Sequence, residues 1–112
     1  MATRSGDAPF HIQTIVVAGN TQLTATAISY LSSPALILST GNSVSGIRLP
    51  SGSKGKVYCI KNLGVTGLQV LLIYPEVGSQ VNIQGNNLPY SLAPQTSAWF
   101  FSDGAHTWHT EV

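Results

Sequence analysis

The sequence predicts an all-β protein: a single small antiparallel β-sandwich or barrel, jelly-roll-like, behind a flexible N-terminal arm. Three observations carry this. Turn formers recur roughly every eight to twelve residues, the spacing of sandwiches and barrels. The apolar stretches between them are short, rich in β-branched and aromatic residues, and without helical period. Residues 47–75, IRLPSGSKGKVYCIKNLGVTGLQVLLIYP, then read as a β-meander, three strands joined by two Gly/Ser/Pro-rich turns.

In that meander Pro50 and Pro75 close strands because proline cannot donate to a ladder. Gly64 and Gly67 supply the tight reversal between residues 57–62 and 68–74. A helix here would carry glycine at close intervals, each costing about 1 kcal/mol relative to alanine.

Taken in order, residues 1–13 form the arm, polar and aperiodic at its start, with Gly6 and Pro9. The β-domain occupies residues 14–112. Its first strand is 14–18, turned by Gly19-Asn20 into 21–28, where Leu23, Ala25 and Ala27 alternate with Thr24, Thr26 and Ile28. Residues 35–39 make an apolar strand ended by Thr40-Gly41-Asn42, and 44–49 leads into the meander. Beyond Pro75 come strands at 80–84, 90–92 and 97–102, with Trp99 and Phe101 facing opposite to Ala98 and Phe100. Asp103-Gly104 is a hairpin-type turn into 107–110, where Trp108 closes one end of the core.

The 112 residues suit one domain. Charged residues make up 8% of the chain, against about 25% in ordinary soluble domains. Charge depletion marks the cores of protein interfaces, so a polar yet nearly uncharged surface suits a fixed assembly. The net charge of +1 sets up no field that attracts nucleic acid. Arg48, Lys54, Lys56 and Lys61 all fall in the meander, where they protect a strand edge and solubilise a turn; the functional alternative is a docking face for an acidic protein surface. Residues 1–10 lack the apolar core of a signal peptide, and no run approaches the ~20 apolar residues of a membrane span. A soluble product made in the cytosol is expected.

Chemistry is sparse. The four carboxylates form no pair on one strand face, which speaks against a two-carboxylate hydrolase. Ser102, Asp103 and His106 share one turn, whereas a triad draws nucleophile, base and orienter from separate elements. His106 and His109 lie on opposite faces of a strand and, with His11, have no supporting Cys or carboxylate, so no metal is expected. SGSKGK lacks the spacing and the following helix of a phosphate loop, and no cofactor is expected. Cys59 is alone, so no internal disulfide forms; mid-strand among Val57, Tyr58 and Ile60, it reads as a small buried hydrophobe. Trp99, Phe100, Phe101, Trp108, Tyr74 and Tyr90 read mostly as core, the alternative being a sugar-stacking platform.

From residue 43 to residue 110 the order of short motifs resembles a recurrent small structural domain of tailed-phage virions. The matching elements are Arg48-Leu49-Pro50, the strand 56–62, Tyr74-Pro75, Asn82-Ile83-Gln84-Gly85, residues 90–93, residues 96–100 and residues 107–110. The chain departs from the pattern at Gln84, where the family carries Asn before Gly.

The resemblance implies a non-enzymatic virion component, a capsid decoration or cement protein on the capsid exterior, synthesised in the host cytoplasm. Its partners on that reading are the major capsid protein and further copies of itself, a trimer before a dimer, with neither nucleic acid nor membrane. Contacts are expected from the arm, at Arg4, Pro9 and Phe10, and from the basic turn, at Lys54 and Lys56. The alternative is a head-spike or tail-fibre module binding host glycans through exposed aromatics.

Overall fold

The runs of alternating apolar residues fold as strands in the computed structural model, which describes residues 11–28, 35–40, 43–50, 56–82, 85–104 and 107–111. In chain order these strands are β1 (His11–Val16), β2 (Thr26–Ala27), β3 (Ala35–Thr40), β4 (Ser45–Arg48), β5 (Val57–Asn62), β6 (Leu71–Tyr74), β7 (Gln80–Val81), β8 (Tyr90–Leu92), β9 (Ser97–Ser102) and β10 (Thr107–Glu111). No helix occurs among the described residues. The all-β expectation therefore holds.

The strands divide into two sheets, one of order β1-β3-β5-β9-β10-β7 and one of order β2-β4-β6-β8. From β1 to β9 each strand lies in the other sheet from the one before it; only β9 and β10 are consecutive neighbours in one sheet. A chain that crosses to the facing sheet and returns re-enters in its original direction. β1, β3 and β5 accordingly pair in parallel, as do β2, β4 and β6. The intervening strand of the other sheet serves as the long crossover that parallel pairing requires.

Two expectations are corrected by this topology. The sheets are mixed, because antiparallel pairing is confined to β9 with β5 and β10 and to β6 with β8. Residues 47–75 are likewise no meander: β4 and β6 pair with each other, while β5 belongs to the other sheet. The turn at residues 63–70 carries the chain between sheets.

Some strand bounds also move. β1 begins at His11, ahead of the expected start at residue 14. In residues 21–28 only Thr26–Ala27 is strand. The Thr21 and Thr24 hydroxyls lie 2.7 Å apart and the Ala25 amide donates to the Thr21 carbonyl at 2.8 Å, so local side-chain bonding replaces a ladder. Leu68, expected in a strand, precedes β6 and is exposed.

The core lies between the sheets. Tyr58, Ile60, Phe100 and Trp108 enter from the six-stranded sheet and Ile47, Leu71, Ile73 and Leu92 from the four-stranded one, all of them buried. Tyr58 and Trp108 stack at a tilt with centroids 5.7 Å apart, and Tyr90 meets Phe100 edge-on at 5.8 Å. Trp108 is thus a core residue, as its strand position predicts.

Candidate interaction face

The two sheets present very different outer faces. On the four-stranded sheet the outward positions of Gly46, Arg48 and Tyr74 are taken up by the chain itself. Residues 19–25 lie across it, with the Tyr74 hydroxyl donating to the Asn20 carbonyl at 2.7 Å and Arg48 Nη1 to the Gln22 carbonyl at 3.0 Å. Gly46 is buried beneath them, 3.0 to 3.2 Å separating an added Cβ from Ala25 and the Tyr74 ring. Its amide donates to the Gly19 carbonyl at 2.7 Å. Gln22 Nε2 extends the closure by donating to the Pro75 carbonyl at 2.9 Å and to Asn87 Oδ1 at 3.1 Å.

The six-stranded sheet has no comparable cover among the described residues. Strand alternation sends Tyr58, Ile60, Ala98, Phe100 and Ser102 inward, so Val57, Cys59, Lys61, Trp99 and Phe101 face out. Register aligns them across the sheet: Cys59 pairs with Trp99 and Val57 with Phe101, while Ile12 of β1 shares a register row with Cys59 through Leu36. Phe101 is 38% exposed, and Ile12 and Val16 on the edge strand are 67% and 79% exposed. Apolar side chains on the outer sides of β1, β5 and β9 are of the kind that marks an interaction surface.

Polar groups flank these apolar side chains at both ends. Lys61 stands opposite Ser97 at one end. At the other, His109 Nε2 lies 3.1 Å from Asp103 Oδ2, with both side chains well exposed. Cys59 sits half-buried on this face, which corrects its expected place in the core: Tyr58 and Ile60 take the inward positions and leave it the outward one. Partial burial still desolvates the thiolate and raises the thiol pKa above its ordinary value.

The aromatic residues separate cleanly. Phe100 and Trp108 are core, Tyr74 is buried under residues 19–25, and Tyr90 packs against Phe100; Trp99 and Phe101 alone of the six look outward. The basic residues separate as well. Arg48 belongs to the outer face of one sheet and Lys61 to that of the other, so they do not make one docking patch. Lys61 cannot guard an edge either, since β5 is internal, between β3 and β9.

Of the expected contact residues, Lys56 is half-buried immediately before β5, its carbonyl accepting from the Ser102 amide at 2.9 Å. Arg4, Pro9, Phe10 and Lys54 lie outside the described residues, as does His106. Register nevertheless relates the arm to the basic turn. His11 pairs with Ala35, and Ala35 with Tyr58, so residues 1–10 join β1 at the end of the sheet where Lys56 joins β5, two strand spacings or about 10 Å away.

A second feature is a cleft of about 390 Å³ lined by Val17, Ala18, Gly19, Asn20, Ser43, Val44 and Ser45. Its lining contains no ionisable side chain. No group of three or more His, Cys, Asp and Glu suited to a metal occurs among the described residues. The signal that sequence reasoning missed is edge strand β1: Ile12, Thr14 and Val16 alternate from residue 12, but a boundary at residue 14 hides the pattern.

Comparison of the chain with protein-family models, curated proteins and solved structures yields no match.

Proposed function

We propose that this chain is a structural protein of a phage virion, a capsid decoration or cement protein that binds the outer head surface and stabilises the shell. One observation carries the reading: the edge strand β1, with Ile12 and Val16 exposed on a sheet face that no segment of the described residues lies across, directly follows residues 1–10. An edge strand offers unpaired backbone groups to a neighbour, and an apolar face beside it supplies the burial. Together they make an adhesive surface that needs no chemistry. Many copies, each bridging several shell subunits, then add their interface energies.

On this reading the two sheets form a jelly-roll-like sandwich, the partner is the major capsid protein, and the copies associate with one another. Arg4, Pro9, Phe10, Lys54 and Lys56 are the shell contacts, and the proximity of β1 and Lys56 at one end of the sheet supports their acting together. The protein acts as a binder and not as an enzyme, on the virion exterior after synthesis in the host cytoplasm.

Co-sedimentation with undecorated heads tests this, read as bound copies per head at saturation. Hundreds of copies support a shell-covering cement. A few copies, or none, reject it and favour a second reading, a head-spike or tail-fibre module that binds host glycans. Outward-facing Trp99 and Phe101, two residues apart on β9, are what favours that alternative.

A further inference from the structure

Among the described residues the sheet edges differ in how well they are guarded. β2 and β7 are two residues long, and β8, three residues long, lies between Pro89 and Pro94, which have no amide to donate. β1 is longer and open. It runs for six residues, HIQTIV, pairs with β3 on one side only, and carries none of the Lys, Pro or acidic residues that usually protect an edge.

The hydrogen-bond phase of β1 follows from its continuation, where the Val17 amide donates to the Thr40 carbonyl at 2.8 Å. In a parallel ladder alternate residues turn both amide and carbonyl to the same neighbour. Ile15 and Val17 therefore face β3, while Ile12, Thr14 and Val16 present their backbone groups to the open side. The pleat divides the side chains in the same way: Ile15 and Val17 are buried, and Ile12, Thr14 and Val16 are exposed on the outer face.

These three exposed residues match their own reverse. A two-fold axis perpendicular to the sheet beside Thr14 sets Thr14 opposite the second copy's Thr14 and Ile12 opposite the second copy's Val16, the reciprocity of an isologous contact. Both members of each pair aim amide and carbonyl at the junction, so each pair exchanges two hydrogen bonds, about six in all. On the outer face the same register puts a β-branched apolar pair on either side of a Thr–Thr pair, combinations that stabilise antiparallel strands.

We infer that two copies of this chain pair antiparallel through the edges of β1, joining their six-stranded sheets into one continuous sheet. The junction uses the backbone of the edge, so the outer faces of the two copies lie side by side and stay open. This names a second copy as the neighbour of the β1 edge and leaves the outer face to the shell; the inference rests on the proposed function only for where the dimer sits.

Sedimentation velocity of the full chain over a concentration series tests the pairing, with thermal unfolding as a control. The wild type is expected in a concentration-dependent monomer–dimer equilibrium. Thr14→Pro removes an amide that only the second copy would use, and proline is tolerated where an edge amide faces solvent, so the dimer should weaken by about tenfold or more while the thermal transition stays in place. Register is read from I12E, V16K and the double variant I12E/V16K. Each single substitution should weaken the dimer by about tenfold. In the double variant each new carboxylate meets the other copy's new ammonium, which should recover about threefold. Within one chain the two positions are about 13 Å apart along the strand, so no internal pair can produce that recovery. A wild type that stays monomeric overturns the inference, as does a Thr14→Pro variant that dimerises normally or a double variant no tighter than the singles. Head binding judges the capsid reading separately: a dimer that does not sediment with heads rejects that reading alone, and a monomer that does sediment with them rejects this inference alone.

Discussion

Asn62 Nδ2 donates to the Leu92 carbonyl at 3.0 Å, and this bond ties the C-terminal end of β5 in one sheet to β8 in the other. The same amide donates to the Gln69 carbonyl at 2.7 Å, and Oδ1 accepts from the Gly64 amide at 2.9 Å. The backbone joins in, the Asn62 amide donating to the Thr96 carbonyl at 3.0 Å and its carbonyl accepting from the Gln95 amide at 2.9 Å. A buried side chain thus organises a crossing between sheets, where the sequence predicts a meander turn.

Replacing Asn62 with Leu removes three side-chain hydrogen bonds and strands buried backbone groups without partners. A loss of about 2–3 kcal/mol is expected. Asn62→Asp should cost a similar amount, because it keeps the acceptor but loses both donors. Urea denaturation measures both; a loss below 1 kcal/mol for either would remove Asn62 from its linking role.

Ser39 presents the opposite case. Its Oγ is buried with no hydrogen-bond partner. Ser39→Ala removes an unsatisfied hydroxyl and nothing else of consequence, so it should leave stability unchanged or raise it by about 1 kcal/mol. A clear drop in the thermal midpoint would mean that the hydroxyl is satisfied in solution.

Gly46 admits no side chain without displacing Tyr74 or Ala25. Gly46→Val should therefore destabilise by about 2–3 kcal/mol through overpacking and should weaken the hydrogen bond from Tyr74 to Asn20. Tyr74→Phe, which loses only that bond, should cost about 1 kcal/mol. Equal effects of the two variants would contradict the packing argument.

Cys59 responds to pH in a defined direction. Burial raises its thiol pKa, so at mildly alkaline pH the folded protein holds less thiolate than an unstructured peptide and should react more slowly with iodoacetamide. A thiol whose pKa is raised on folding contributes stability below the unfolded pKa and loses it as pH rises through the folded one. Stability should accordingly decline above the usual thiol range in the wild type and decline less in Cys59→Ala. An alkylation rate equal to that of a free peptide would place the thiol in bulk water.

Residues 1–10 are the segment on which the capsid reading depends. Deleting residues 2–9 should weaken binding to undecorated heads while leaving the thermal transition intact. Unchanged head binding would remove the arm from the interface and leave the edge of β1 as the contact.

Local chemistry made much of this legible in advance. Strand alternation is a two-residue property, so the inward turn of Phe100 and outward turn of Trp99 and Phe101 follow from SAWFFS itself, and Asp103-Gly104 marks the β9–β10 hairpin. VYCIKN likewise specifies a strand, and its lack of helical period excludes the alternative. The error over Cys59 arose at the same level, since either face of that strand reads as apolar when Val57, Cys59 and Ile60 are weighed without the partner sheet.

What the sequence by itself determined is therefore the all-β class, the centres of most strands and which residues alternate together along them, while several strand bounds moved, because backbone sterics and side-chain period act over a few positions. Tertiary structure alone decided which sheet each strand joins, and with that the parallel pairing of β1, β3 and β5, the cover of residues 19–25 over one outer face, and the exposed apolar side chains on the other. A Gly/Ser turn ends a strand equally well whether the next one pairs beside it or crosses to the facing sheet. The choice between them rests on contacts distant in sequence, such as Asn62 with Leu92 and Tyr74 with Asn20, whose energies no local pattern records.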